Sequence, residues 1–322
     1  MSPPAGSIRR ILLVKLRAIG DAVLTLPSLE ALHSGFKQAE ITVLCPPASL
    51  QVYVGDRRCH AVWAYEREKG LFRQTAFFGR LRRERFDLAV CLHASFRTAL
   101  IARLSGAPWR SVRNHSGPDW FSNLRASEPK EAKNIIERDF DALRACGLSP
   151  RGLMPRLFLP EAARAAAARR LRALRLKERP LLLFTGAGKP EKRWPLERFL
   201  ALGRLLKGLK RSPVFLNAPG EPDLDARARA VGGRADQVAD LKELGALCAL
   251  AGAAVGNDSG PRHVAAASGA RTLTLFGPEG LREWQPYPRK KGHWALQSPT
   301  LRVEDLAPEE VFLQVKAWLG GR

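Results

Sequence analysis

A chain of 322 residues, 45% hydrophobic and 26% charged, has room for two globular domains of about 150 residues each and excludes a fibrous or disordered protein. No apolar run approaches the ~20 residues of a membrane-spanning helix, and MSPPAGSIRRILLVKL returns to Lys15 too soon for a secretory signal, so the chain is expected in the cytoplasm. Fifty-three Lys and Arg against 31 Asp and Glu leave a net charge of +22, which suits a polyanionic partner: nucleic acid, an anionic membrane surface or a phosphorylated substrate. The abundance of Arg, Ala, Gly and Pro, typical of GC-rich coding, leaves a merely solvated cationic surface as the alternative. There is no zinc-finger spacing and no aromatic RNP pattern, so nucleic-acid binding would rest on charge alone and is not expected. The five cysteines, at 45, 59, 91, 146 and 248, lack CxxC or CxxH spacing and read as reduced thiols, not disulfides or a zinc site.

Along the chain, apolar strand-like runs alternate with helical patterns, the signature of an α/β protein with parallel sheets. The first series opens with ILLVKL (11–16), a loop, and a helix through AVLTLPSLEALHSGF that Pro27 interrupts or kinks; ITVLCP (41–46) and FDLAVCL (86–92) follow. A helix-rich connection holds KNIIERDFDALRACGL (133–148), the Pro-bearing SPRGLMPRLFLP (149–160) and an Ala/Arg-rich helix from about 161 to 176. The second series runs through PLLLFTG (180–186), a helix over LERFLALGRLLKGLK (196–210), PVFLNAPG (213–220), AAVGND (253–258) and RTLTLFGPEG (271–280). The expected organisation is therefore two Rossmann-like domains, 1–160 and 161–322, facing a central cleft.

The chemically suggestive residues gather at strand-to-helix loops, where open α/β sheets bind their ligands. GAGKPEKRWP (186–195) combines Gly186 and Gly188 with Lys189, Lys192 and Arg193, a phosphate-binding composition that is neither a Walker A nor a dinucleotide fingerprint; a flexible polar loop closed by Trp194 and Pro195 is the structural alternative. In NAPGEPDLD (217–225), Glu221 can accept from ribose hydroxyls or simply favour a helix start. Asp223 and Asp225 spell DxD, which in other settings holds a divalent metal, but both stand early in a predicted helix, so no metal site is expected.

In VGNDSGPRHVAAASG (255–269), Ser259 or Gly260 can cap a helix with Pro261 at its start, leaving backbone N–H groups to meet an anion, with His263 as an added donor. A capped surface helix with a solvated histidine is the plainer alternative. Asp21, directly after Gly20 in KLRAIGDAVLTLPSL, is either a helix N-cap or, if a cleft faces it, a carboxylate able to take a proton from a substrate hydroxyl.

Taken together and in this order, KLRAIGDAVLTLPSLEAL, GAGKPEKRWPLERFLALGRLL, NAPGEPD and GNDSGPRHVAAASGARTLTLFGPEGLREWQPY resemble the heptosyltransferases of lipopolysaccharide biosynthesis, glycosyltransferase family 9. The likeness is good over the first ~45 residues and most of the C-terminal half, and loose from about 51 to 128. It implies a GT-B fold, with the last helix, at about 308–319, packing back on the N-terminal domain. It also implies metal-independent, inverting transfer of a heptose from ADP-heptose to an anionic lipid-linked inner-core acceptor. The nucleotide sugar is then a co-substrate and no cofactor is needed. Asp21 matches the general base, Lys192 the diphosphate contact and Glu221 the ribose-binding acid. Gly186 and Lys189 belong to the donor loop, and Asp258, Ser259, Gly260 and His263 to the sugar and phosphate site. The enzyme would work in the cytoplasm, at the inner face of the membrane that carries its acceptor.

Arg262 departs from the family, which usually has an apolar residue there. The mechanism so implied places developing negative charge on the leaving diphosphate beside Lys192 and the helix at Pro261, with Asp21 accepting the acceptor's proton from the other face. Another nucleotide-sugar donor, a GT-B nucleotide-sugar epimerase and a non-catalytic anionic-glycan or nucleic-acid binder are the competing functions.

Overall fold

The computed structural model describes residues 2–66, 71–113, 121–125, 133–216, 223–278 and 280–320. The chain divides into two compact units, Met1–Pro155 and Arg156–Arg322.

The first unit is built on five parallel strands, β1 (Arg10–Val14), β2 (Glu40–Cys45), β3 (Ala61–Ala64), β4 (Leu88–Cys91) and β5 (Trp109–Val112), in the order β3-β2-β1-β4-β5. Ile11 stands opposite Ile41 on one side and Leu88 on the other, so the centre of the sheet is apolar on both faces. Strand order reverses between β1 and β4, which makes the carboxyl ends of those two strands the place where such a sheet receives a ligand. The helix expected through Pro27 is two helices, Ile19–Leu24 and Leu26–Gly35, joined at Thr25. Proline lacks an N–H and fits the first turn of the second helix, where none is needed.

The second unit carries six parallel strands: β6 (Arg179–Phe184), β7 (Arg211–Leu216), β8 (Arg234–Asp236), β9 (Ala253–Asn257), β10 (Arg271–Phe276) and β11 (His293–Gln297). Their order is β11-β10-β9-β6-β7-β8. Here the reversal falls between β6 and β9, whose following loops are the Gly/Lys loop and the Asp258 turn. The two strands lie so close that a Cβ on Gly256 would meet Phe184 Cβ at 2.5 Å, so only glycine fits. The final helix, Pro308–Gly320, buries Val311, Val315 and Trp318 in the core of this unit, together with Phe199 and Leu202 of the helix Leu196–Leu206.

Candidate active site

Charged residues meet at each switch point. In the second unit, Asn257 ends β9 wholly buried and ties the loops together: its side-chain amide donates to the Thr185 carbonyl (2.9 Å) and its Oδ1 accepts from the Trp194 N–H (3.0 Å). Trp194 is itself buried against Phe199 and donates from its indole to the Leu306 carbonyl (2.9 Å). The loop that could have been a flexible connection is therefore pinned at its end. A short 3-10 turn, Pro190–Lys192, within it points Lys192 inward, while Lys189 is exposed beside Glu191 (3.9 Å). Gly186 lies at the loop's base, directly after Thr185.

Asp258 follows β9 and is shared by two cations: its Oδ2 accepts from Lys192 Nζ (2.8 Å) and its Oδ1 from Arg262 Nη2 (2.7 Å). Burial pushes this carboxyl up, but Arg262 and Lys192 outweigh it and hold it below its ordinary range. It is an anion near neutral pH. The helix Gly260–Ala267 starts here with Ser259 as its N-cap and Pro261 in its first turn. Ser259 makes no capping bond, and its Oγ is buried without a partner among the described residues. The positive end of this helix is thus left open, which a phosphate oxygen would complete.

His263 is neither a solvated residue nor an open donor. It is buried, with Nε2 3.0 Å from Arg262 Nη2 and Nδ1 2.5 Å from the Tyr287 hydroxyl. Guanidinium has no acceptor, so Nε2 must be the lone-pair nitrogen and Nδ1 carries the proton. Burial and the neighbouring Arg262 push its pKa well down, which keeps the ring neutral. Its place is between Arg262 and Tyr287, as a support for the guanidinium. Lys192 also lies 5.8 Å from the Trp284 ring centroid, giving the site an aromatic wall.

The acidic candidates nearby divide. Glu221 lies outside the described residues. Asp223 precedes the helix Leu224–Ala230 in a left-handed conformation (φ 60°), while Asp225 pairs with Arg229 (2.7 Å) and accepts from the Ala235 N–H (3.4 Å). Asp225 is thus committed to local structure. Among the described residues, no group of three or more His, Cys, Asp or Glu is placed to hold a metal ion.

In the first unit, Asp21 is the third residue of its helix and Ala18 its N-cap, so the capping role does not describe it. Among the described residues its carboxylate makes no hydrogen bond or ion pair, and it is partly exposed beyond the carboxyl end of β1. The loop before it is anchored by Ser49 Oγ donating to the Arg17 carbonyl (3.3 Å), and its helix by Tyr53 Oη donating to the Ala22 carbonyl (3.0 Å).

Below lies a cluster that the sequence reading did not single out. Lys15 Nζ donates to Asp139 (2.7 Å) and to the Leu92 carbonyl (3.1 Å), and Arg113 Nη1 donates to the other oxygen of Asp139 (2.9 Å), all three side chains being buried. Burial pushes the Asp139 carboxyl up, Lys15 and Arg113 pull against it, and the charge of nearby Asp21 adds to the push. A signal was available in the helix Ile135–Ala145, where Asp139 falls among Ile135, Ile136, Phe140 and Leu143 on the apolar face. Arg17 donates to His93 Nδ1 (3.2 Å), whose pKa burial and the surrounding cations push down to about 4.

The five cysteines are free thiols, four of them buried. No helix among the described residues is long and apolar enough to cross a membrane.

A family profile described as glycosyltransferase family 9 (heptosyltransferase) matches residues 74–308, most of the chain. The chain belongs to glycosyltransferase family 9. This glycosyltransferase is 24% identical over 287 residues to lipopolysaccharide heptosyltransferase 3 of Escherichia coli, covering 84% of each chain. Its fold is that of a family 9 glycosyltransferase from Veillonella parvula (TM-score 0.81, 21% identity, 98% of each chain covered). It also matches the E. coli ADP-heptose lipopolysaccharide heptosyltransferase II (TM-score 0.75, 23% identity, 96% of this chain and 98% of that one). The E. coli heptosyltransferase WaaC, solved with ADP, superposes at TM-score 0.70 with 18% identity over 96% of this chain and 97% of that one.

Proposed function

We propose that this glycosyltransferase moves a heptose from ADP-heptose to an anionic, lipid-linked lipopolysaccharide inner-core acceptor, with inversion and without a metal ion. The observation that carries the donor half is the shared Asp258: a lysine partnered to it, beside an open helix N-terminus, at the switch point of a parallel sheet. Lys192 and the N–H groups of the helix at Gly260 would take the diphosphate and stabilise the charge that grows on it as the glycosidic bond breaks. The ammonium and those N–H groups would supply the neutralisation that a metal gives in other transferases.

Asp21 would serve as general base, its carboxylate accepting the acceptor hydroxyl's proton as that oxygen attacks the anomeric carbon. This role requires the two units to face one another across a cleft, donor on one side and acceptor on the other. The partners are thus a nucleotide sugar and an anionic glycolipid. The latter and the +22 net charge fit a cytoplasmic enzyme held peripherally at an anionic membrane surface.

Nucleotide choice is tested by thermal unfolding with ADP, UDP, GDP and CDP. A ligand at 100 times its dissociation constant stabilises by about 2.7 kcal/mol, so ADP alone should raise Tm measurably. Stabilisation by another diphosphate and not by ADP would replace ADP-heptose as the donor.

A further inference from the structure

Arg262 stands where the family resemblance expects an apolar residue, and it is buried to 1% exposure. Both terminal nitrogens of its guanidinium are held, while Nε is buried without a hydrogen-bond partner among the described residues. Nη2 lies 2.7 Å from Asp258 Oδ1, 3.0 Å from the Trp284 carbonyl and 3.0 Å from His263 Nε2, while Nη1 donates to Gln285 Oε1 (3.0 Å). The rings of Phe276 and Tyr287 lie 5.7 Å away. Asp258 is the one carboxylate it pairs with among the described residues. Lys192, by contrast, is a more exposed side chain on a surface loop, and it holds the opposite oxygen of the same carboxylate.

One anion thus has two cations, one immobile and one on a flexible stem. A buried carboxylate left without a partner is strongly disfavoured, so a lysine that is its sole counter-ion is not easily released. With Arg262 in place Asp258 stays paired whichever way Lys192 turns.

We propose that Arg262 is a positioning residue, the permanent counter-ion of Asp258, which frees Lys192 to exchange Asp258 for the phosphate of an arriving nucleoside diphosphate. The inference rests on the donor reading above, and it adds to that reading why this chain carries an arginine in the helix. In the resting state Lys192 is parked on Asp258 Oδ2. When a diphosphate arrives the ammonium moves to it, and the Arg262–Asp258 pair remains as the floor of the site.

The experiment is a double-variant cycle read as the dissociation constant for ADP, with Tm as the folding check. Arg262→Met leaves Lys192 as the sole cation on Asp258 and should weaken ADP at least tenfold. Adding Asp258→Asn removes the competing anion and should restore ADP affinity to within about threefold of wild type; with Arg262→Met itself melting near wild type, that recovery reports competition for Lys192 and not relief of misfolding. Arg262→Lys keeps the charge and should stay close to wild type.

If Arg262→Met alone does not fold, Arg262→Gln, which keeps a polar side chain there without the charge, takes its place in the cycle with the same outcomes expected. Folded double variant without restored affinity, Arg262→Met with wild-type affinity, or Arg262→Lys as weak as Arg262→Met overturns it. Wild-type protein that does not bind ADP overturns the donor reading as well. Wild type that binds while the variants bind equally removes this inference alone.

Discussion

Lys192 Nζ sits 2.8 Å from Asp258 Oδ2, joining the loop after β6 to the turn after β9 at the point where strand order reverses. Because the ammonium lies where these two loops open side by side at that reversal, Lys192→Ala should weaken donor binding and slow transfer. The larger effect should fall on the rate, since the charge it meets grows in the transition state. Lys189, exposed beside Glu191, should matter much less when changed to alanine. Donor dissociation constants and single-turnover rates for the two variants settle the contrast: equal, small effects would reduce the loop to a connection.

Chelation is the second test. Asp225 is committed to Arg229 and the Ala235 N–H, so the DxD spelling offers no pair of open carboxylates. EDTA should leave transfer largely intact, and Asp223→Asn should be mild. Activity lost to EDTA and regained with Mg²⁺ or Mn²⁺ would require a metal on the diphosphate.

Acid should destabilise the second unit before its carboxylates titrate. Burial, with Arg262 next in weight, pushes His293 down to about 4 from 6.5, and His263 is pushed well down by burial and Arg262. A histidine depressed in the folded state binds its proton more readily when unfolded. Its contribution is therefore whole above about pH 6.5 and is lost as pH falls towards 4. For His293 the cost is about 1.4 kcal/mol per pH unit within that window. Tm measured from pH 7.5 to 5 should fall, and His293→Gln should show the shallower slope; parallel slopes for variant and wild type would show that His293 is not buried in its neutral form.

What the sequence made legible follows from burial. The strands read from the sequence, β1, β2, β4, β6, β7, β9 and β10, are interior strands whose apolar runs are covered on both faces. All four that escaped, β3, β5, β8 and β11, are sheet edges: AVWA, WRSV, RAD and HWALQ are short or mixed in polarity, and each is partly exposed. In the site, strand-end position and residue type put Lys192 and Asp258 in neighbouring loops but did not reveal the ion pair between them. They did not suffice for Arg262 or His263, because the direction of a side chain in a helix's first turn depends on what packs behind it. Here that is Trp284, Gln285 and Tyr287, more than twenty residues further on. Asp139 was missed for the converse reason: a carboxylate on an apolar helix face is noticed only once its partners, Lys15 and Arg113, are seen to converge.

The general-base assignment turns on Asp21. As the third residue of its helix it caps nothing, and among the described residues no partner holds its carboxylate, so its structural contribution is the modest attraction of an acid to a helix N-terminus, about 0.3–1 kcal/mol. Asp21→Asn keeps the shape and gives up that attraction. It also relieves the push that Asp21 exerts on Asp139, so the melting temperature should change little. The amide cannot take a proton. Transfer should therefore fall by roughly 10²–10⁴, the usual worth of a general base, while ADP affinity stays near wild type because its proposed site belongs to the other unit. Melting temperature, ADP affinity and transfer rate on this one variant separate the roles. A variant that melts and binds normally yet transfers within a few-fold of wild type would strip Asp21 of the base role and leave the acceptor's proton to another group.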